Sequence, residues 1–451
     1  MALIVWERRG EPIEDHAAEV LIERYPDALG AFRGRPERLH TTRVFLRGIL
    51  GADGAVFPAA DQSCLTIASS LMISRSNNDR GVGAFGACLL GDVADEKSLA
   101  HAVREALDAG ASDDPLTTAA WPLLPSVTDA RPVAAFDGAA ALRRPHASRI
   151  VEALRQAAQD LATHERAQGN RLRTLERAVY LAVGGTLAHA QAISAGGDLA
   201  ARIPILLAAG FHKGSEISAA SELSLDRIYR RFEEWLVDRL AERIRDGRPL
   251  AGVGEAMPRN PSASEAEAVL KELRGAGAGH PPPGAATVEA RLAAFREARH
   301  LARGDVVAAL ARALVMSYLT EYVSGGPQPF LEGLGRRSGF LYPHFQGRSR
   351  EKRLCPNVRV LDALVRACVP AGEFLPLQDF LDRLWGRFGI VVGGRVSIEP
   401  TDLELLRGSG IDVDTSALGA NVERFVEQLA AIGLARRYAD NVTFVGDAYG
   451  R

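Results

Sequence analysis

The chain has 451 residues, of which 47% are hydrophobic and 24% charged, and its net charge is −2. That length allows roughly two to four domains with separate cores, and the composition is that of a soluble globular protein, not a disordered one. A net charge so close to zero excludes a protein that is basic throughout, so any contact with nucleic acid must come from a local patch.

Residues 1–140 read as a mixed α/β region. Met1 to Trp6 is apolar, but Glu7, Arg8 and Arg9 end the run at once, unlike a signal peptide. Residues 14–25 have the spacing of a short amphipathic helix, residues 43–50, 55–58 and 64–74 contain short apolar runs with strand character, and residues 98–107 form another helix. Gly and Pro punctuate the region, which implies many short elements.

Residues 146–246 read as a helical domain. Ser148 can cap a helix that places Val151, Leu154, Ala158 and Leu161 on one face. Leu172, Leu175, Val179, Val183 and Leu187 extend a second helix, in which Gly184-Gly185 is either a break or a close helix crossing. A third helix runs from about residue 224 to 245, with Leu225, Ile228, Phe232, Trp235, Leu236 and Leu240 on its apolar face. The longest apolar stretch, residues 178–188, is too short to cross a bilayer. A cytoplasmic protein with no membrane contact is expected.

Residues 247–286 are rich in Gly and Pro and read as a linker, interrupted by one short helix at 264–273. Residues 287–330 hold a helical pair joined at Gly304. Residues 331–353 form a basic, aromatic loop, in which Arg336, Arg337, Arg348, Arg350, Lys352 and Arg353 alternate with Phe340, Tyr342, His344 and Phe345. Arginines can hold phosphates while aromatic rings stack on bases. The same residues would serve equally to pack a loop onto a helical core.

Residues 354–451 carry the clearest pattern. Asn357 caps a helix with Val358, Leu361, Leu364, Val365 and Cys368 on one face. Pro376 opens a second, in which Leu377, Phe380, Leu381, Leu384, Trp385 and Phe388 form an unbroken helical stripe. Residues 390–398 look extended and 402–407 form a short helix. Asp414 or Ser416 then caps a long helix that buries Val422, Phe425, Val426, Leu429 and Ile432. Short strands at 435–438 and 442–445 flank the turn Ala439-Asp440-Asn441. Three helices and a terminal hairpin in this order resemble a winged-helix module, a fold that binds nucleic acid or protein. The stretch holds ten Arg against thirteen Asp plus Glu, a net of −3, and its long helix carries Glu423, Arg424 and Glu427. Duplex affinity comes mainly from neutralising phosphates. That charge therefore favours a protein partner for the long helix and moves any DNA contact to the arginine-rich loop.

Chemical motifs are sparse. Only four lysines, Lys97, Lys213, Lys271 and Lys352, stand against fifty arginines, and none lies in GxxxxGK[ST], which excludes a P-loop ATPase. The Ala-, Arg- and Gly-rich usage is that of a GC-rich bacterial genome. Gly81, Gly83 and Gly86 match GxGxxG but follow a polar turn and not a strand. His164-Glu165 lacks the second histidine of HExxH, and Asp95-Glu96-Lys97 is a loose echo of a nuclease carboxylate–lysine set that reads better as surface charge. Arg171, Arg173 and Arg177 form a small basic face, read as solvated or salt-bridged. Cys64, Cys88, Cys355 and Cys368 form no CxxC pair, so neither a disulfide nor a zinc site is expected. No catalytic residue, metal or cofactor is assigned.

The segments from Gly410 to Asp414, Phe425 to Leu434 and Arg436 to Val445 resemble the endings of accessory proteins from bacterial phage-defence islands. The small subunit of phosphorothioation-dependent restriction systems is the nearest of these. The resemblance implies a non-catalytic subunit that accompanies an ATPase in a DNA-targeting complex. The expectation is thus a mainly α protein with α+β parts and a winged-helix-like end. Nucleic acid would be met by Arg336, Arg337, Tyr342, Arg348, Arg350, Arg353, Arg436 and Arg437, and a partner protein by Arg424, Glu427 and Tyr438. The alternatives are a metal-dependent nuclease with its site in 1–140 and a winged-helix transcription regulator.

Overall fold

A computed structural model describes residues 148–168, 171–210, 214–248, 258–273, 288–321, 327–343, 352–396, 399–438 and 442–447, with shorter stretches between 19 and 39 and between 86 and 108. The runs expected as strands between residues 43 and 74, the glycine motif before Gly86, and most of the helix expected at 14–25 lie outside the described residues. The fold is mainly α with small sheets, as the apolar spacing predicts. In chain order it comprises α1 (Leu99–Asp108), α2 (Ser148–Gln168), α3 (Arg171–Ser194), β1 (Ile205–Leu206), α4 (Glu216–Arg245), α5 (Ala263–Glu272), α6 (Val288–Leu301), α7 (Val306–Glu321), α8 (Pro327–Arg337), β2 (Leu341–Tyr342), β3 (Arg353–Leu354), α9 (Val358–Arg366), β4 (Phe374–Pro376), α10 (Leu377–Phe388), β5 (Ile390–Val391), α11 (Asp402–Gly408), α12 (Thr415–Ala431), β6 (Ala435–Arg437) and β7 (Thr443–Gly446). Among the described residues no helix is long and apolar enough to cross a membrane.

The chain forms two compact units, one from Met1–Ala188, Pro356–Phe388 and Glu423–Arg451, the other from His189–Cys355 and Gly389–Val422. The stretch 354–451 is therefore shared between the two.

In the first unit, α2 packs against α1, α9 and α10, burying Ile150, Leu154, Ala158 and Leu161. α3 runs unbroken through Gly184-Gly185, and Gly185 is a point of close packing. A Cβ on Gly185 would lie 2.8 Å from Leu89 Cδ1 and 3.5 Å from Leu154 Cδ1. Asn357 caps α9 as its side chain predicts, accepting from the Arg359 and Val360 N–H groups. The stripe on α10 is buried at Phe380, Leu381, Leu384, Trp385 and Phe388. β4 lies between α9 and α10, where the sequence reading placed no strand. It pairs antiparallel with β7, which also pairs with β6, so the sheet order is β4-β7-β6. Leu375, Val445 and Ala435 form one rung, and Pro376, Phe444 and Arg436 the next. Side chains alternate between faces along a strand. The rung containing Val445 and Ala435 is buried in the core, and the rung of Pro376, Phe444 and Arg436 faces out.

In the second unit, α4 starts at Glu216, about two turns before the residue at which its apolar stripe begins. Serines lower intrinsic helix propensity, but here they bridge the helix to strands. Ser221 Oγ donates to the Leu206 carbonyl at 2.6 Å and accepts from the Leu354 N–H at 3.0 Å, while Ser224 Oγ accepts from the Leu206 N–H. β1 pairs in parallel with β5. Asn421, 1% exposed, closes this region. It accepts from the Ala209 N–H at 2.8 Å and donates to the Leu207 and Val392 carbonyls at 2.7 and 2.9 Å. A separate helical core joins the C-terminal half of α4 to α5, α6 and α7 around Phe295, Leu310 and Leu314. The linker helix α5 belongs to that core through Ala266, Leu270 and Leu273, and Ser262 with Glu265 forms a capping box at its start.

Candidate binding surface

The basic aromatic segment is ordered at both ends by its own side chains. α8 ends at Arg337, and Gly339, at φ +81°, turns the chain into β2. Gly335 admits Leu341 so closely that a Cβ there would stand 2.7 Å from Leu341 Cγ. Phe340 is buried. Arg353 is 2% exposed, lies 4.9 Å above the Tyr342 ring and reaches Glu222 at 3.3 Å. Lys352 is also buried, its Nζ donating to the Pro343 carbonyl at 2.7 Å. Arg353 and Tyr342 thus pack the hairpin of β2 and β3 together. Arg336 is half-buried and Arg337 exposed, while Arg348 and Arg350 lie outside the described residues.

The other predicted contact residues lie on α12, on β6 and just after it. Phe425, Val426 and Leu429 point inward, and Phe425 stacks on Phe380 with ring centroids 6.3 Å apart. The opposite side of the helix exposes Glu423, Arg424 and Glu427. Arg436 and Arg437 are exposed on β6, where Arg437 pairs with Glu423 at 2.6 Å. Tyr438 is 52% exposed and packs edge-on against Phe444, with centroids 5.5 Å apart. Arg424, Glu427 and Tyr438, assigned to a protein partner, and Arg436 and Arg437, assigned to nucleic acid, therefore all lie on the surface of one unit.

A second polar cluster, in the same unit, is buried. His164 Nε2 lies 2.6 Å from the Val369 carbonyl and Nδ1 lies 3.1 Å from Arg366. Arginine can only donate, so Nδ1 is the acceptor and Nε2 carries the proton. Arg366 also binds Asp362 at 2.7 Å and Asp447 at 2.9 Å. Asp362 binds Arg177 at 2.6 Å, and Arg177 binds Glu165 at 2.9 Å. Burial works against the charge on Arg177, but Asp362 and Glu165 outweigh it and hold the guanidinium above its ordinary value. Burial lowers the His164 pKa, opposed by the Val369 carbonyl and reinforced by Arg366. Glu176 joins Tyr180, Arg173 and Arg359, and burial together with that carboxylate raises the Tyr180 phenol.

This network absorbs His164, Glu165, Arg173 and Arg177, which the sequence shows only as an incomplete motif and a small basic face. The carboxylates are matched by guanidinium groups, an arrangement that locks helices together. Among the described residues no group of three or more His, Cys, Asp or Glu side chains could hold a metal ion. Asp95, Glu96 and Lys97 are exposed, as the surface-charge reading expects. Cys368 is fully buried, its thiol pushed up to about 12, and so is chemically inert as packed. Comparison with protein-family models, curated proteins and solved structures finds no match to this chain.

Proposed function

We propose that the protein is a non-catalytic subunit of a bacterial DNA-defence or DNA-processing complex that scaffolds a partner protein, an ATPase being the class its resemblance implies. One observation carries the reading. Arg424 and Glu427 are exposed on α12 and Tyr438 is exposed at the end of β6, on a unit whose core is closed by Phe380, Phe425 and Val445. A rigid scaffold presenting polar and aromatic groups is what partner recognition requires. Two further features support a winged-helix-like module. α9, β4 and α10 are followed, after β5 and the short α11, by the long α12 and the hairpin β6–β7, and β4 joins the hairpin in the order β4-β7-β6. Arg336, Arg337, Arg348 and Arg350 of the basic segment would supply the DNA contact, and Arg436 and Arg437 are the further candidates for it.

Co-expression with the products of neighbouring genes tests the role directly. Size-exclusion chromatography should show co-elution with at least one of them, and Arg424→Glu with Glu427→Arg should weaken it. A chain that stays monomeric beside every neighbour would overturn the proposal.

A further inference from the structure

The buried cluster at His164 divides one guanidinium nitrogen between a titratable ring and a carboxylate. His164 is 2% exposed on α2 and has both ring nitrogens engaged. Nε2 donates to the Val369 carbonyl at 2.6 Å, and Nδ1 accepts from Arg366 Nη1 at 3.1 Å. The same Nη1 meets Asp447 at 2.9 Å, while Arg366 Nε holds Asp362 at 2.7 Å. Asp447 directly follows β7, the central strand of the β4-β7-β6 sheet. A single nitrogen therefore separates the ring from the anchor at the end of that strand.

The ring cannot gain a proton without breaking this arrangement. Nε2 already carries its hydrogen, so the proton must go to Nδ1. There an N–H would face the N–H of a guanidinium, and two positive charges would stand 3.1 Å apart. The surrounding charges decide what replaces that contact. From α9 come Arg366 and Asp362. From α3 comes Arg177, which Asp362 and Glu165 hold at 2.6 and 2.9 Å. α10 contributes Arg387, which pairs with Asp160, one turn before His164, at 2.6 Å. On α1, His101 pairs with Glu105 and Arg104 is exposed. Of these neighbours, Asp447 favours the charged ring, and Arg366 and Arg177 oppose it. Asp362 binds Arg366 through one oxygen and Arg177 through the other, so Arg366 keeps a carboxylate when it lets go of Asp447.

We propose that His164, Arg366 and Asp447 form an acid-operated latch at the end of β7. When Nδ1 takes a proton from solvent, Arg366 turns away from the ring and stays with Asp362, and Asp447 exchanges its guanidinium for the imidazolium. The end of β7 then passes from α9 to α2. That shift loosens the end of the strand, where the Gly446 N–H donates to the Leu434 carbonyl. Each cation keeps a carboxylate, so the protonated state is a second packing of the same unit and not an unfolded one. Burial holds the ring below its ordinary 6.5, which places the switch on the mildly acidic side. The latch operates whatever the chain binds.

The full-length chain labelled with nitrogen-15 at histidine supplies the test, the His164 signal being the one lost in His164→Asn. At neutral pH that signal should be the Nε2–H tautomer, and it should titrate below 6.5. Asp447→Asn should weaken the ring's proton affinity about threefold or more, and Arg366→Gln should strengthen it by a similar factor. Amide hydrogen exchange across residues 443–446, corrected for the intrinsic effect of pH, should rise about tenfold between about pH 7.5 and about pH 5. The rise should share its midpoint with the ring. It should be absent in His164→Asn, whose amide oxygen can accept from Arg366 but takes up no proton. An Nδ1–H tautomer at neutral pH, a titration indifferent to Asp447→Asn, or an equal rise in exchange in His164→Asn would overturn the latch. So would a rise spread evenly over α2, α9 and α10, which would mean loss of the whole unit. The tautomer and the course of exchange need only the unaltered protein, so a variant that circular dichroism shows to be unfolded leaves both tests standing.

Discussion

Single buried polar side chains hold much of this molecule together, and each makes a measurable commitment. Asn421 satisfies one backbone donor and two backbone acceptors at once. Each buried group left without a partner costs about 1–3 kcal/mol, so Asn421→Ala should destabilise the protein by about 3 kcal/mol or more in urea denaturation, and a loss below about 1 kcal/mol would refute the clamp. Asn421→Asp should not rescue it, because a carboxylate cannot donate to the Leu207 and Val392 carbonyls. His164 makes a pH-dependent commitment. Its folded pKa lies below 6.5 because burial and Arg366 disfavour the cation, so the unfolded chain takes up the proton first. Stability should therefore be flat above 6.5 on this account and fall as pH drops through 6.5 toward the folded value. Asp447, which faces the same ring, limits the drop. Denaturation midpoints compared at neutral and mildly acidic pH should show a smaller acid loss for His164→Asn, and an identical loss would exclude His164 as the source. Neither role is visible in the sequence, where His164-Glu165 looks like half a metal motif and Asn421 like an ordinary helix polar residue.

At the scale of elements, legibility followed periodicity. The stripe from Leu377 to Phe388 specifies α10 because apolar residues at helical spacing can be buried only as a helix. The same logic locates α9, α12 and the hairpin β6–β7. It fails for β4, three residues long and half-exposed, whose existence depends on pairing with β7 some seventy residues later. Pro376 ends β4 directly before α10, and proline is as common before a helix as at a strand end, so it carries no signal for the strand. It fails again at the start of α4, where buried serines interrupt the apolar stripe and the helix is supported by their bonds to β1 and β3 and by the Ser215 cap. Energetics within the α12 region should divide by burial. Phe425→Ala, which removes a buried ring stacked on Phe380, should cost about 3–5 kcal/mol. Arg437→Ala breaks only an exposed pair with Glu423 and should cost less than about 1 kcal/mol. Thermal or chemical unfolding of the two variants reads the contrast, and comparable losses would mean the packing assigned to Phe425 is wrong.

For the whole molecule, the question is where its charge is spent. A net charge of −2 hides fifty arginines, and several of them, including Arg177, Arg353, Arg366, Arg387 and Arg395, are buried in ion pairs with carboxylates. The arginines open to a polyanion are correspondingly fewer than the sequence suggests. If the loop carries the DNA contact, replacing Arg336, Arg337, Arg348 and Arg350 together with Ala should abolish retardation of DNA in a gel-shift assay, and unchanged retardation would exclude it. Arg353 does not belong in that set, because its loss would remove the Glu222 pair and the Tyr342 contact and confuse binding with folding. Composition and apolar spacing by themselves determined the helical class, the helix-rich C-terminal pattern and the absence of a P-loop lysine, since these depend on residues close in sequence. Only the tertiary structure decided which polar residues are spent inside, which residues join β4 to β7, and that Phe374, Phe444, Tyr438 and Arg436 share one outward face. Those outcomes depend on contacts between residues far apart in the chain, which no local pattern encodes.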